Sequence, residues 1–157
     1  MEKLTKDITN FVIAEANTIN EKVRGINFLE LLKTNLIEKI YPLLSAQKFP
    51  LDKVIDYEKE IKENSKNIKI SINYFINSLS VSKKKINNDS LLLVFNEASN
   101  LDIYKDEKDF TSLLLYKNTG ITLPKDTVIN SKFNKNVLLI EIINKDTEQI
   151  LTKEKKL

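Results

Sequence analysis

Residues 91–142 read LLLVFNEASNLDIYKDEKDFTSLLLYKNTGITLPKDTVINSKFNKNVLLIEI, and their rhythm decides the fold. Short apolar runs recur at 91–95, 101–103, 113–116, 120–123, 127–129 and 137–143, separated by polar turns rich in Asn, Asp and Lys. Strands spaced by about 8–12 residues, with turn signals and no helical stretch between them, indicate a sandwich or barrel. The run Leu91-Leu92-Leu93-Val94-Phe95 is apolar without alternation, as expected of a strand covered on both faces. Just upstream, Ile68, Ile70, Ile72, Tyr74 and Ile76 alternate with Lys69, Ser71 and Asn73. That period of two predicts a further strand with one buried face.

Before residue 67 the period changes to that of a helix. Ile8, Phe11, Val12, Ala16, Ile19 and Val23 recur at spacings of three and four. Thr5 or Asp7 is placed to cap this helix, and Gly25 to end it. A second helix follows from Phe28, Leu29, Leu32, Leu36, Ile40, Leu43 and Leu44, with Asn27 and Glu30 at capping-box spacing. Pro42 is expected to close or kink it. Pro50 with Leu51, Val54, Ile55 and Ile61 predicts a third, short helix ending near Asn64. The organisation is therefore α+β: a helical region 1–66, an antiparallel β-sandwich 67–144, and a polar tail 145–157 that frays or forms a terminal helix. The helical stripes have two readings at this point: packing on the sheet of their own chain, or pairing with copies of it.

The order of strands and turns in 91–142 resembles the core of a cupin, a jelly-roll sandwich or barrel. Asn118-Thr119 stand where that family places a Gly-Asp turn, and Pro124 matches the proline six residues on. The resemblance covers residues 68–144. It implies a metal held on histidines, and the chain has no His and no Cys. By this correspondence the second-motif histidine falls at Ile129, and the first-motif ligands fall near Lys84, Ile86 and Ser90. A metal bound in the family's manner is excluded, as is a sugar epimerase that needs a histidine base. No metal ligands, catalytic residues or cofactor are assigned.

Other residues offer a site only on weaker grounds. Tyr74, Tyr104 and Tyr116 could line a barrel mouth and donate hydrogen bonds, although aromatic residues in strands mostly serve packing. Glu141 either faces inward as a buried acid or, the favoured reading, outward. Asp102, Asp106, Glu107 and Asp109 gather carboxylates near one hairpin, but interleaved lysines and a missing glycine argue for a solvated turn. Lys83-Lys84-Lys85 reads as an edge or loop that discourages strand-to-strand aggregation.

Composition narrows the remaining classes. A formal charge of +3 with Arg24 as the only arginine argues against nucleic acid as a partner. The absence of Cys removes disulfides and thiol chemistry together. Only Gly25 and Gly120 are present, so no phosphate-cradling glycine loop can be built. The start MEKLTKDITNF lacks the apolar core of a signal peptide, and no apolar run reaches membrane-spanning length. The expected setting is the cytoplasm or a virus particle. The favoured expectation is a non-catalytic structural or assembly protein, metal-free and self-associating as a homo-oligomer or with other assembly proteins, such as a virus or phage component. The alternative is a metal-independent small-molecule binder or enzyme acting on a sugar or acid.

Overall fold

The computed structural model describes residues 2–63 and 66–145. Among the described residues two helices, α1 (Glu2–Thr18) and α2 (Gly25–Ser45), precede nine strands. The strands are β1 (Ile55–Glu63), β2 (Lys66–Tyr74), β3 (Leu79–Lys85), β4 (Ser90–Phe95) and β5 (Ser99–Tyr104), then β6 (Phe110–Leu115), β7 (Thr119–Leu123), β8 (Val128–Phe133) and β9 (Leu138–Asn144). They form a five-stranded sheet in the order β1-β2-β9-β4-β7 and a four-stranded sheet in the order β3-β8-β5-β6. Every pairing is antiparallel. The chain crosses repeatedly between the two sheets, as in a jelly roll. The expected α+β class, helices followed by a cupin-like jelly-roll sandwich, is what the chain adopts.

The five-stranded sheet is buried on both faces, and strand alternation explains how. In β4, Leu91, Leu93 and Phe95 point to the helices, whereas Leu92 and Val94 point to the other sheet. In β9, Leu138, Ile140 and Ile142 join the helix-side core and Leu139 joins the inter-sheet core. The isoleucines of β2 and Tyr74 also face the helices. Leu4, Ile8, Val12, Ala16 and Ile19 of the α1 region, with Phe28, Leu29, Leu32, Leu36, Ile40 and Leu44 of α2, complete that core. The apolar stripes of both helices are thus covered by their own chain. Of the two readings left open above, packing on the chain's own sheet is the one realised.

Three local expectations are corrected. The stretch read as a third helix is strand β1, which pairs along its whole length with β2 from Ile55↔Tyr74 to Glu63↔Lys66. Its sequence alternates Ile55, Tyr57 and Ile61 with Asp56, Glu58, Glu60 and Lys62. Period two prevailed because β2 offered an unpaired edge. The helical part of 1–66 accordingly ends at Ser45. Pro42 lies inside α2 rather than closing it. It removes the hydrogen bond to the Glu38 carbonyl, and the buried Leu36, Ile40 and Leu44 on either side hold the turn in place despite that loss. Gly25, expected to end α1, instead opens α2 at φ +61°, a left-handed backbone that glycine adopts without strain. Asn27 consequently lies within the helix and caps nothing. The expected tail beyond residue 145 lies outside the described residues.

Candidate functional site

Between the two sheets the core is incomplete, and a cavity of about 230 Å³ remains. Its lining combines apolar Phe75, Ile86, Leu92, Ile129, Phe133 and Leu139 with polar Ser71, Asn73, Lys84, Ser131 and Glu141, both kinds coming from both sheets. Glu141 sits on the inner face of β9, the central strand, directly opposite Ser71 of β2 and Leu92 of β4. It is half-buried. Among the described residues neither its carboxylate nor the Lys84 ammonium has a hydrogen bond or ion pair.

Lys84 reaches the cavity through a backbone irregularity. Val81 pairs with Ser131 and Lys84 with Ile129, so β3 carries one residue more than β8 across this stretch. Lys83 takes up the excess with φ +48°, and its N–H donates to Asn130 Oδ1 at 2.8 Å. Strict alternation from inward-facing Val81 would send Lys84 outward. The bulge reverses that parity, so that Lys84 pairs with inward-facing Ile129 and borders the cavity while staying exposed to solvent. Sequence reasoning took Lys83-Lys84-Lys85 as an aggregation-blocking edge. β3 is indeed an edge strand, but the middle lysine also borders the cavity.

The four residues singled out from sequence are not brought together. Glu141 alone lines the cavity. Tyr74 faces the helices and is 1% exposed. Its hydroxyl accepts from the Leu51 N–H at 3.0 Å and donates to Asn136 Oδ1 at 2.8 Å, pinning the segment before β1. Tyr104 lies on the outer face of the four-stranded sheet, where its hydroxyl accepts from Asn130 Nδ2 at 3.0 Å and its ring tilts against Phe110. Tyr116 is exposed beyond the end of β6. The polar residues missed were Lys84, Ser71, Asn73 and Ser131. Ser71 was recoverable, because it sits on the polar parity of β2; Lys84 was not, because the bulge carries no sequence signature here.

A larger depression of about 590 Å³ lies outside the sandwich, between the β5–β6 hairpin and Lys83. It is lined by Lys105, Asp106, Glu107, Lys108 and Asp126, whose charges are mixed in sign. Asp106 Oδ1 accepts the N–H groups of Lys108 and Asp109, both at 2.8 Å, and these bonds hold its carboxyl below the usual range. That carboxylate closes a turn. Asp102 likewise is occupied, accepting from Ser112 Oγ at 2.7 Å and Asn130 Nδ2 at 3.2 Å.

The positions assigned by resemblance to metal ligands can now be placed. Lys84, Ile86 and Ile129 converge on the inter-sheet cavity. Ser90 does not line it; its hydroxyl donates to the Asn88 carbonyl at 2.8 Å. The fold is cupin-like. A cupin superfamily protein from Desulfitobacterium hafniense superposes with a TM-score of 0.46 at 16% identity, covering 66% of this chain and 87% of that one. An RmlC-like cupin family protein with a double-stranded β-helix fold, from Methanocaldococcus jannaschii, gives 0.46 at 10%, covering 66% and 92%. The CENP-C cupin domain of Drosophila melanogaster gives 0.41 at 13%, covering 67% and 91%. Likeness at these levels bears on no residue and no activity. No family model and no curated protein matches the chain.

A metal does not fit the cupin-like site. The lining offers Lys84, an ammonium, and isoleucines at 86 and 129, leaving Glu141 as one carboxylate where a site needs several donors. Among the described residues no three Asp or Glu side chains gather as a metal site would require. What the cavity offers is an anionic group, a cationic group and small hydroxyls among apolar side chains. That combination orients a polar molecule by hydrogen bonds and charge.

Proposed function

We propose that this chain is a metal-free binding protein that holds a small, partly polar molecule between its two sheets. The observation that carries the reading is the β3 bulge. It brings the exposed Lys84 to the opening of a space of mixed apolar and polar lining that also contains an unpaired Glu141. Glu141 is half-buried without a partner, which costs stability, and the exposed Lys84 beside the opening supplies a cation, so an occupant carrying both a donor and an anionic or acceptor group would engage the two. The volume of about 230 Å³ lies below the roughly 300–1,000 Å³ of sites for drug-sized ligands. The occupant is accordingly small, of the size of a monosaccharide or a short hydroxy or amino acid. Among the described residues neither Ser71 nor Ser131 hydrogen-bonds to a base, and the role proposed is binding rather than turnover.

Native mass spectrometry, with thermal melting in panels of monosaccharides and small carboxylic and amino acids, tests this directly. A retained stoichiometric adduct, or a melting shift that Glu141→Leu and Lys84→Met each remove, is the expected result. A bare chain mass together with no shift from any member of the panel would sink the proposal.

The assembly reading loses one route, since the helical stripes are consumed inside the chain. One observation still favours self-association: strand β6 leaves large apolar side chains exposed on a sheet edge.

A further inference from the structure

Each sheet ends in two edge strands, and three of the four are guarded. β1 alternates acids and lysines along its length. β3 carries Lys83, Lys84 and Lys85 and the bulge. β7 is five residues long, and α2 lies over it, with Lys33 packed close to Gly120. Charges, bulges, shortness and covering helices are the ordinary means by which edges avoid pairing. β6, FTSLLL, has none of them. It contains no charge, glycine or proline, and Phe110 and Leu114 are 48% and 50% exposed.

Its free hydrogen-bonding groups can be assigned. The Lys105 N–H donates to the Asp109 carbonyl at 2.8 Å, making that pair the hydrogen-bonded one that closes the β5–β6 hairpin. Hydrogen-bonded and non-hydrogen-bonded pairs alternate along an antiparallel ladder. Tyr104↔Phe110, Asp102↔Ser112 and Asn100↔Leu114 are therefore of the second kind. The N–H and C=O groups of Phe110, Ser112 and Leu114 point away from β5, toward the open edge.

We propose that β6 pairs antiparallel with β6 of a second copy, about a two-fold axis through Ser112. This register sets Phe110 across from Leu114 of the copy, Ser112 across from Ser112, and Leu114 across from Phe110. All three are pairs whose free backbone groups meet. Two four-stranded sheets become one of eight. The strand is self-complementary because it is uncharged, so no like charges oppose one another. The flanks are complementary as well. The turn Asp106-Glu107-Lys108-Asp109, net acidic, approaches Lys117 of the copy at each end. A second copy is thus a better match than a partner with a charged strand. The contact is a single strand pair with few large side chains, so it falls at the small end of specific interfaces and the dimer is weak and concentration-dependent. It rests on no ligand in the inter-sheet cavity.

The chain contains no cysteine, which makes the register directly readable. Opposed residues in a hydrogen-bonded pair have Cα atoms about 5.5 Å apart, within disulfide reach. Ser112→Cys is expected to cross-link to a dimer under mild oxidation. Thr111→Cys, offset from its own copy by two residues, is not. Sedimentation of the full chain should show reversible dimerisation that Leu114→Lys weakens by about tenfold or more, with urea unfolding confirming that the variant is folded. A monomer at every attainable concentration overturns the proposal. So does a dimer that survives Leu114→Lys, or one in which Ser112→Cys cross-links no faster than Thr111→Cys.

Discussion

Replacing Glu141 with leucine should make this protein more stable. The position lies on the inner face of the central strand, between Ser71 and Leu92 of its neighbours and beside Leu139, Ile129 and Phe133 across the cavity. Fully burying a leucine is worth about 1.5–3 kcal/mol. The site is half-buried, so about half of that, roughly 1 kcal/mol, is available. Removing an unpaired carboxylate from partial burial acts in the same direction. For a domain of this size about 1 kcal/mol corresponds to a rise in Tm of about 2–4 °C. Urea unfolding at neutral pH is the assay, and the midpoint should rise with the slope unchanged. Glu141→Gln, which keeps the shape but supplies no apolar contact, should gain less. A leucine variant no more stable than the parent would refute the reasoning, because the carboxylate would then be engaged in a stabilising contact. A stabilised variant that no longer binds would be the familiar exchange of activity for stability at a functional position.

Gly120→Ala should cost about 1 kcal/mol or more in a thermal melt. A Cβ there would stand 2.6 Å from Leu93 Cδ2 and 3.0 Å from the Leu92 carbonyl, and overpacking of about 1–3 kcal/mol outweighs a strand preference of about 0.5–1. Leu32→Asp should unfold the chain rather than dissociate an oligomer, seen as lost near-UV dichroism, because Leu32 is fully enclosed by the chain's own core. Glu30 bonds to Thr122 and Lys33, and these contacts hold its carboxyl below the ordinary 4.5. A lowered folded pKa means that its contribution is complete above the unfolded value and is lost as pH falls through the folded one. Thr122→Val should therefore lower the melting temperature at neutral pH, with the difference from the parent vanishing in acid.

The strands were legible because alternation survives without context. Ile68, Ile70 and Ile72 announce a buried face, and residues 91–95 announce two. β1 was misread as a helix, because its Ile55 and Ile61 also fit a loose helical spacing after Pro50, and only the partner edge of β2 separates the two readings. The site was harder. Tyr74 shares the parity of the β2 isoleucines, so its burial under the helices followed from its own strand. Tyr104 and Tyr116 depend on which face of an unbuilt sheet looks inward. Lys84 depends on one extra residue in β3, and an insertion of that kind is visible only against β8.

The strand order also fixes when the core can close. β9 lies between β2 and β4 at the middle of the five-stranded sheet, yet among the described residues it is the last strand to be synthesised. A nascent chain presents both helices and eight strands before Leu138, Ile140 and Ile142 emerge to join them. Until then β2 and β4 each keep an open edge, and the helix stripes have only part of their floor. The uncharged β6 is exposed through the same interval. The ribosome-bound intermediate is therefore the form of this protein most open to wrong pairing, and the final strand acts as the latch that ends that risk.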